Sequence, residues 1–442
     1  MFKNKIVLIA GLILLLWLPV GVIYNLVLER SALNLQVQAD ISDSSSGEQT
    51  MVGPVLVQQL EKRKATTPST VQDEIVWQLN GAQQLSVNSD AQVEQRSRGL
   101  YRVRVYQSKH LMQAEFAPVA ELPSGFLPEA VIGHEQLRRL DSYVAFSVSD
   151  VRGLSTLPQV KINGEPRDII AGSGITGLPN GVRVLIHNDE LRQGFKLELQ
   201  LDLQGSRGIQ LIPTGESTEW TMQSNWQDPA FVGRFLPQQR EVRADGFSAK
   251  WQSTQLSNPT LASLVNCAVQ ERCAVAGSSF AVDLVEAANP YQQNERAIKY
   301  AILVIVLSFA WFYLAEILQT KPLHLMQYLL VGLTLVMFYL LLLSLSEVVG
   351  FALAYGIASA ACAALLAFYL SAALKSWARG GAMAGAYAVL QGLLYLILQA
   401  ETFALLSGSL LMFVTLAALM VATRHIDWQQ LMAKNSNPDA LS

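Results

Sequence analysis

The strongest constraint on this chain is the run from Ile6 to Leu28, 23 residues without a charged side chain. At ~1.5 Å of rise per residue, a helix of that length exceeds the ~30 Å hydrocarbon core of a bilayer. A first transmembrane helix is predicted. Lys3 and Lys5 also give the run the positive flank of a cleavable signal peptide. Its apolar part is longer than the ~7–15 residues of a usual signal core, and no Ala-x-Ala step follows, so a retained anchor is the preferred reading. Pro19 falls inside this helix, where neighbouring helices in lipid can re-satisfy the freed backbone groups.

Charge is distributed as though two solvents act on one chain. Residues 29–297 carry 54 charged side chains in 269 positions, whereas 298–426 carry 8 in 129. Five further apolar stretches fall in the second region, at 298–318, 323–346, 350–373, 381–399 and 402–423. Backbone polar groups in lipid must bond internally, so each is expected to be a helix. The predicted fold class is a membrane protein of six transmembrane α-helices, with a large extracytoplasmic all-β, sandwich-like domain between helix one and helix two. The predicted organisation is an anchor at 1–28, a β-rich domain at 29–297, a five-helix bundle at 298–426 and a cytoplasmic tail at 427–442.

Lys and Arg accumulate on the cytoplasmic side of short membrane connections. Lys3, Lys5, Lys321, Lys375, Arg379, Arg424 and Lys434 all fall on one side of the six expected spans, and the opposite short turns near Glu347 and Glu401 hold no Lys or Arg. Both termini are therefore expected in the cytoplasm and residues 29–297 outside it. A net charge of −3 and a pI near 6.0 leave no basic stripe for phosphate, so nucleic acid is not an expected partner. The composition also excludes disordered, collagen-like and disulfide-dense classes.

Between 52 and 285 the pattern is that of strands. Phe195 to Leu203 alternates apolar and polar at every step, as a sheet with one wet face requires. Leu100 to Tyr106 comes close to alternation, and further strands are expected at 52–58, 110–116, 142–149, 158–162, 182–187, 208–213, 217–225, 247–254 and 280–285. Asn163-Gly164, Asn180-Gly181 and Asp245-Gly246 supply turns between them,. Many strands at close spacing argue for one sandwich or two joined ones. The segment's net charge of −6 reads as a solvated surface. Cys267 and Cys273 lie six positions apart in a region expected to be exported. A short disulfide loop is the leading expectation there and two free thiols the alternative. Cys362, midway along an apolar stretch, reads as a small buried residue.

No catalytic constellation emerges. His110, His134 and His187 are separated in sequence, and His134-Glu135-Gln136 lacks the second histidine of a zinc-binding helix,. Gly172-Ser173-Gly174 lacks the spacing of a nucleophile elbow, and no phosphate-cradling G-x-x-x-x-G-K loop is present. Neither an enzyme, a metal site nor a cofactor is expected. What remains are ionisable groups at helix ends. Glu295, Arg296 and Lys299 enter the second span, and Glu347 and Glu401 leave the third and fifth on the same side. They are read as interfacial pairs fixing the bundle, with a polar path for a solute, ion or lipid headgroup as the sharper alternative. Glu316 is read as paired with Lys321 across a turn. Gly381 and Gly385, with Ala384, Ala388 and Gly392, form small-residue ridges that allow close helix packing within the chain.

Several separate stretches carry a specific resemblance. They include Gly53-Pro-Val-Leu-Val57, Arg98-Gly-Leu-Tyr-Arg102, Phe231-Val-Gly-Arg-Phe-Leu-Pro237, Glu295-Arg-Ala-Ile-Lys-Tyr300, Gln327 to Leu333, Phe338 to Glu347 with Gly350-Phe351, Phe368-Tyr-Leu370, Leu390 to Tyr395 and Arg424-His-Ile-Asp-Trp428. In this order they resemble the CreD family of bacterial inner-membrane proteins over nearly the whole chain. The sequence departs from the family at His324-Leu325 and at Val348 after Glu347, where a His-Pro pair and a second histidine are frequent. The resemblance implies a bacterial inner-membrane location, a role in envelope integrity and tolerance of envelope-directed stress, and no catalytic residues. The expected function is that of a non-enzymatic, multi-pass envelope protein in contact with the lipid bilayer and with periplasmic or envelope protein partners. A transporter or lipid-handling protein using the helices is the alternative.

Overall fold

The structure is a computed structural model. It describes residues 2–44, 46–67, 70–98, 101–120, 135–257, 260–269, 279–284, 290–319 and 324–399, with scattered residues between 406 and 424. The chain divides into two compact units, Met1–Leu35 with Ala288–Ser442, and Gln36–Ala287.

The first unit is helical. Helix α1, Phe2–Ser44, continues well past the apolar run. It is followed, after the β unit, by Pro290–Lys299, Ala301–Gln319, Leu325–Val349, Phe351–Ala373 and Trp377–Gln399, here α4 to α8. Four of these helices are long and apolar enough to cross a bilayer, over Val7–Ser42, Leu325–Val349, Phe351–Ala373 and Trp377–Gln399. Among the described residues the expectation of six spans is corrected to four, or to five if α4 and α5 together make one broken span. The α4 and α5 segments meet at Tyr300 with a 44° bend, so together they do not form one straight crossing element. The stretch 402–423 lies largely outside the described residues.

Packing within this unit is apolar and close. A Cβ added at Gly332 of α6 would come within 2.3 Å of the Leu16 side chain of α1 and 2.9 Å of Phe309 of α5, so glycine there sets how near α1 and α6 can lie. At Gly380, near the start of α8, an added Cβ would meet the Ser371 backbone at 2.4 Å.

The second unit is built from two sheets of eight strands each. One contains β1 (Gln49–Thr67), β2 (Thr70–Gly81), β5 (Glu135–Val148), β8 (Ile170–Ala171), β9 (Gly181–Leu185), β11 (Gly208–Ile212), β13 (Pro229–Gly233) and β16 (Phe280–Leu284). The other contains β3 (Gln84–Arg98), β4 (Tyr101–Phe116), β6 (Gln159–Ile162), β7 (Glu165–Arg167), β10 (Phe195–Ser206), β12 (Ser217–Ser224), β14 (Gln239–Arg243) and β15 (Gly246–Thr254). Both sheets are mixed, because β1 pairs with β11 and β3 pairs with β12 in parallel. The short helices are α2, Asn188–Gln193, and α3, Thr260–Val269.

The alternation read in β10 is the alternation found. Phe195, Leu197, Leu199, Leu201 and Leu203 are all buried, and one core cluster draws them together with Leu56, Val144 and Phe280 of the other sheet. Its aromatic centre stacks Trp220 on Trp251 at 4.5 Å between ring centroids. A second, smaller cluster lies on the other face of the first sheet, where Leu264 of α3 covers Val55, Val57 and Leu79.

Candidate functional site

The α4 helix gathers three of the five residues expected at the membrane interface. Glu295 and Lys299 sit four residues apart on one helical face, with carboxylate and ammonium 2.8 Å apart. Arg296 is half-buried beside them. Glu347, near the end of α6, accepts a hydrogen bond from the Tyr291 hydroxyl at 3.2 Å. The adjacent Ser346 hydroxyl accepts one from Asn294 Nδ2 at 2.7 Å. The structure thus joins α4 to α6 through Tyr291 and Asn294, two neutral residues absent from the sequence-level set. Glu401 lies outside the described residues.

Another ionisable cluster ties three helices. Lys5 of α1 is ion-paired with Glu316 of α5, and the Tyr328 hydroxyl of α6 donates to the same carboxylate at 2.8 Å. The Lys5 ammonium also lies 5.6 Å from the Tyr328 ring centre. The expected partner of Glu316, Lys321, lies outside the described residues, and the partner found is 311 positions away. No local pattern could reveal it, since helix packing creates the pair.

Between these levels, α7 and α8 share a polar seam. The Tyr355 hydroxyl lies 2.8 Å from Gln391 Oε1 and 2.9 Å from its backbone oxygen, and Gln391 Nε2 donates to the Tyr387 hydroxyl at 2.8 Å. Of the small residues expected to pack α8, Ala384 is buried, whereas Gly381, Gly385, Ala388 and Gly392 face outward. No described atom lies within 4 Å of a Cβ built at those three glycines. The tight glycine is their neighbour Gly380.

In the β unit, His110 is not alone as its sequence position suggested. Its Nδ1 lies 2.7 Å from Ser89 Oγ and its Nε2 2.8 Å from Ser108 Oγ, and Trp220 Nε1 donates to Ser89 at 2.8 Å. All four side chains are buried. Burial pushes the imidazole pKa down to about 3, so this serine–histidine group is a neutral, buried network. His187 opens α2 and faces Arg167 and Glu190. His134 lies outside the described residues. Ser173 is buried, accepting from the Ile175 backbone, as a turn residue does. Among the described residues no three His, Cys, Asp or Glu side chains converge to hold a metal ion. Cys267 is disulfide-bonded and Cys362 is free and buried, while position 273 lies outside the described residues.

One cleft of about 570 Å³ opens beside β2. Leu56, Leu79, Phe116 and Pro118 give it apolar walls, with Leu261 and Val265 of α3. Gln58, Gln78, Asn80 and Gln255 line it with carboxamides, and Arg139 and Glu216 add one charge of each sign.

These features define a class: a multi-span membrane protein that carries a large β domain of two mixed sheets. The family described as inner membrane protein CreD matches residues 1–429. The chain is 36% identical over 436 residues to the inner membrane protein CreD of Escherichia coli strain K12, covering 95% of this chain and 92% of that protein. The chain belongs to the CreD family of inner membrane proteins.

Proposed function

We propose that this protein supports the integrity of the cell envelope, including its response to envelope stress, through contacts made by its β domain and without catalysing a reaction. The domain lies in the periplasm in this reading, and both termini lie in the cytoplasm. The observation that carries it is a three-stranded ribbon formed by the outer parts of β2, β1 and β5. Pairing continues to Lys64 on both sides of β1. Beyond Leu60 of β1, however, no described side chain of the ribbon on that strand is buried. The ribbon is held by its ladders and by ion pairs such as Arg63–Asp73 at 2.9 Å and Arg138–Glu61 at 2.5 Å. Strand edges of this kind, uncovered and charged, resist self-pairing while remaining open to a specific partner.

Photo-crosslinking in cells from Ile75 and Leu140, both exposed on the ribbon, tests the reading. Adducts to envelope proteins or cell-wall material are expected there and not from Leu157, which is 82% exposed elsewhere on the domain. Equal capture from all three positions, or from none, would overturn it. A reporter fused at residue 150 that behaves as cytoplasmic would overturn the orientation.

A second reading, handling of a solute or lipid by the helices, draws on the α7–α8 polar seam and on the buried Tyr339 hydroxyl, which has no hydrogen-bond partner among the described residues. Glu347→Gln that leaves flux of every tested solute and lipid unchanged removes that reading.

A further inference from the structure

We propose that the cleft beside β2 is a binding site for an extended peptide segment bearing apolar side chains. The first observation is an unpaired polar group. Gln58 is 1% exposed, and its Oε1 accepts from Asn80 Nδ2 at 3.0 Å, while its Nε2 has no partner among the described residues. Directly across the ladder from Gln58 stands Ser142, 7% exposed, whose hydroxyl also has no partner among the described residues but which is not among the residues that line the cleft. A buried donor without an acceptor costs roughly 1–3 kcal/mol, so the Gln58 amide calls for a partner. Gln58 lines the cleft, so a ligand there can reach it.

The second observation is the strand beside it. Among the described strands β2 pairs only with β1, so its outer edge carries ladder groups that no described strand uses. An incoming extended chain adds to such an edge through its own backbone, and side-chain pockets then select its residues. The lining fits that ligand: carboxamides of Gln58, Gln78, Asn80 and Gln255 match peptide groups as both donors and acceptors, and the half-buried Leu261 and Val265 receive an apolar side chain,. The chemistry disfavours two other ligands. Arg139 and Glu216 balance each other, which gives no preference for an anionic headgroup. Among the described lining residues the only aromatic one, Phe116, is stacked on Phe195 at 4.8 Å and buried, so none of them offers an exposed ring face to a sugar. The inference deepens the contact reading given above and rests on it for the compartment in which the peptide is met. Binding to the purified protein tests the cleft by itself, whereas crosslinking from the distal ribbon tests the partner.

The experiment is titration of the purified full-length protein in detergent micelles with a set of blocked tripeptides, led by acetyl-Leu-Ala-Leu-amide, and with the N-acetylglucosamine trimer as comparator. Saturable peptide binding is expected, weakened at least tenfold by Gln58→Leu, which removes the unpaired amide at nearly constant volume. Ala262→Trp, on the exposed wall formed by α3, is expected to abolish binding by filling the cleft while leaving the thermal midpoint unchanged. Ile75→Ser, on the distal ribbon, is expected to bind as the native chain does. No saturable binding by any tripeptide overturns the proposal, and so does binding indifferent to Gln58→Leu and Ala262→Trp. Binding of the sugar trimer with the same sensitivity to those variants overturns the peptide assignment.

Discussion

The side chain of Gln391 on α8 links two tyrosines, accepting from Tyr355 of α7 at 2.8 Å and donating to Tyr387 one turn earlier on its own helix, also at 2.8 Å. Gln391 is 1% exposed. Interhelical side-chain hydrogen bonds in membranes contribute ~0.6–2 kcal/mol. Gln391→Leu is therefore expected to lower the unfolding free energy of the detergent-solubilised protein by about 1–2 kcal/mol. Tyr387→Phe is expected to cost less, because it leaves the α7 bond in place. Equal stability of the native chain and Gln391→Leu in a denaturant titration would show that the seam does not hold α7 to α8.

What the sequence made legible follows from where burial is periodic. In β10 every second residue enters the core, so the alternation names both the strand and its inner face. In β1 the apolar segment ends near Leu60, yet pairing runs on to Thr67 through Glu61, Lys62, Arg63 and Lys64. Those residues are held by backbone ladders and cross-strand ions, which leave no apolar signature. The β14 strand, Gln239–Arg243, is exposed throughout and exists because Asp245-Gly246 turns it onto β15. The β3 strand buries small or polar residues such as Ser89 and Ala91, which blunts its alternation. Long apolar runs gave the helices, but not the bend at Tyr300. Glu295, Arg296, Lys299 and Glu347 were legible as charged residue types at helix ends. Their contacts were not, since Tyr291 and Asn294 make bonds that composition does not mark.

His110 makes stability depend on pH in a stated direction. Its folded pKa is about 3 because burial disfavours the imidazolium, against ~6.5 in an unfolded chain. Between those values the unfolded chain binds a proton that the folded chain excludes, so stability falls as pH drops below ~6.5, by up to about 1.4 kcal/mol per unit, and is flat in this group above it. His110→Gln, which does not titrate, is expected to be less stable than the native protein at pH 7 and to close part of that gap by pH 4. A gap constant from pH 7 to pH 4 in parallel denaturant titrations would refute the assignment.

Gly53 occupies a backbone position closed to other residues. Its φ is +102°, and an added Cβ would come within 2.7 Å of the Ala145 carbonyl oxygen on the paired strand, where the β1–β5 register shifts between Val52 and Val55. Gly53→Ala is expected to destabilise the protein by about 2–3 kcal/mol, the upper part of the range for backbone strain. Gly164 provides the control, because its φ is +85° but nothing lies within 4 Å of an added Cβ. Gly164→Ala is expected to cost about 1 kcal/mol. Thermal unfolding of the two variants side by side checks the difference, and equal midpoints would remove the steric argument.

The Lys5–Glu316 pair turns retention of the first helix into a measurement. Lys5 precedes the apolar run that a signal peptidase would remove, and Glu316 lies on α5 within the same compact unit. A chain carrying Lys5→Cys and Glu316→Cys, with Cys362→Ala to silence the free thiol, is expected to be bridged by a short bis-methanethiosulfonate cross-linker, which spans the reach of the two replaced side chains, when isolated membranes are treated with it. After proteolysis within the β domain, the N-terminal and C-terminal fragments should then migrate together until reductant is added. The pair Lys5→Cys with Trp311→Cys, at a residue 46% exposed on α5, should cross-link far less. A mature protein that begins beyond residue 28 cannot form the first bond at all, and equal cross-linking by the two pairs would deny that α1 packs where Glu316 can reach its lysine.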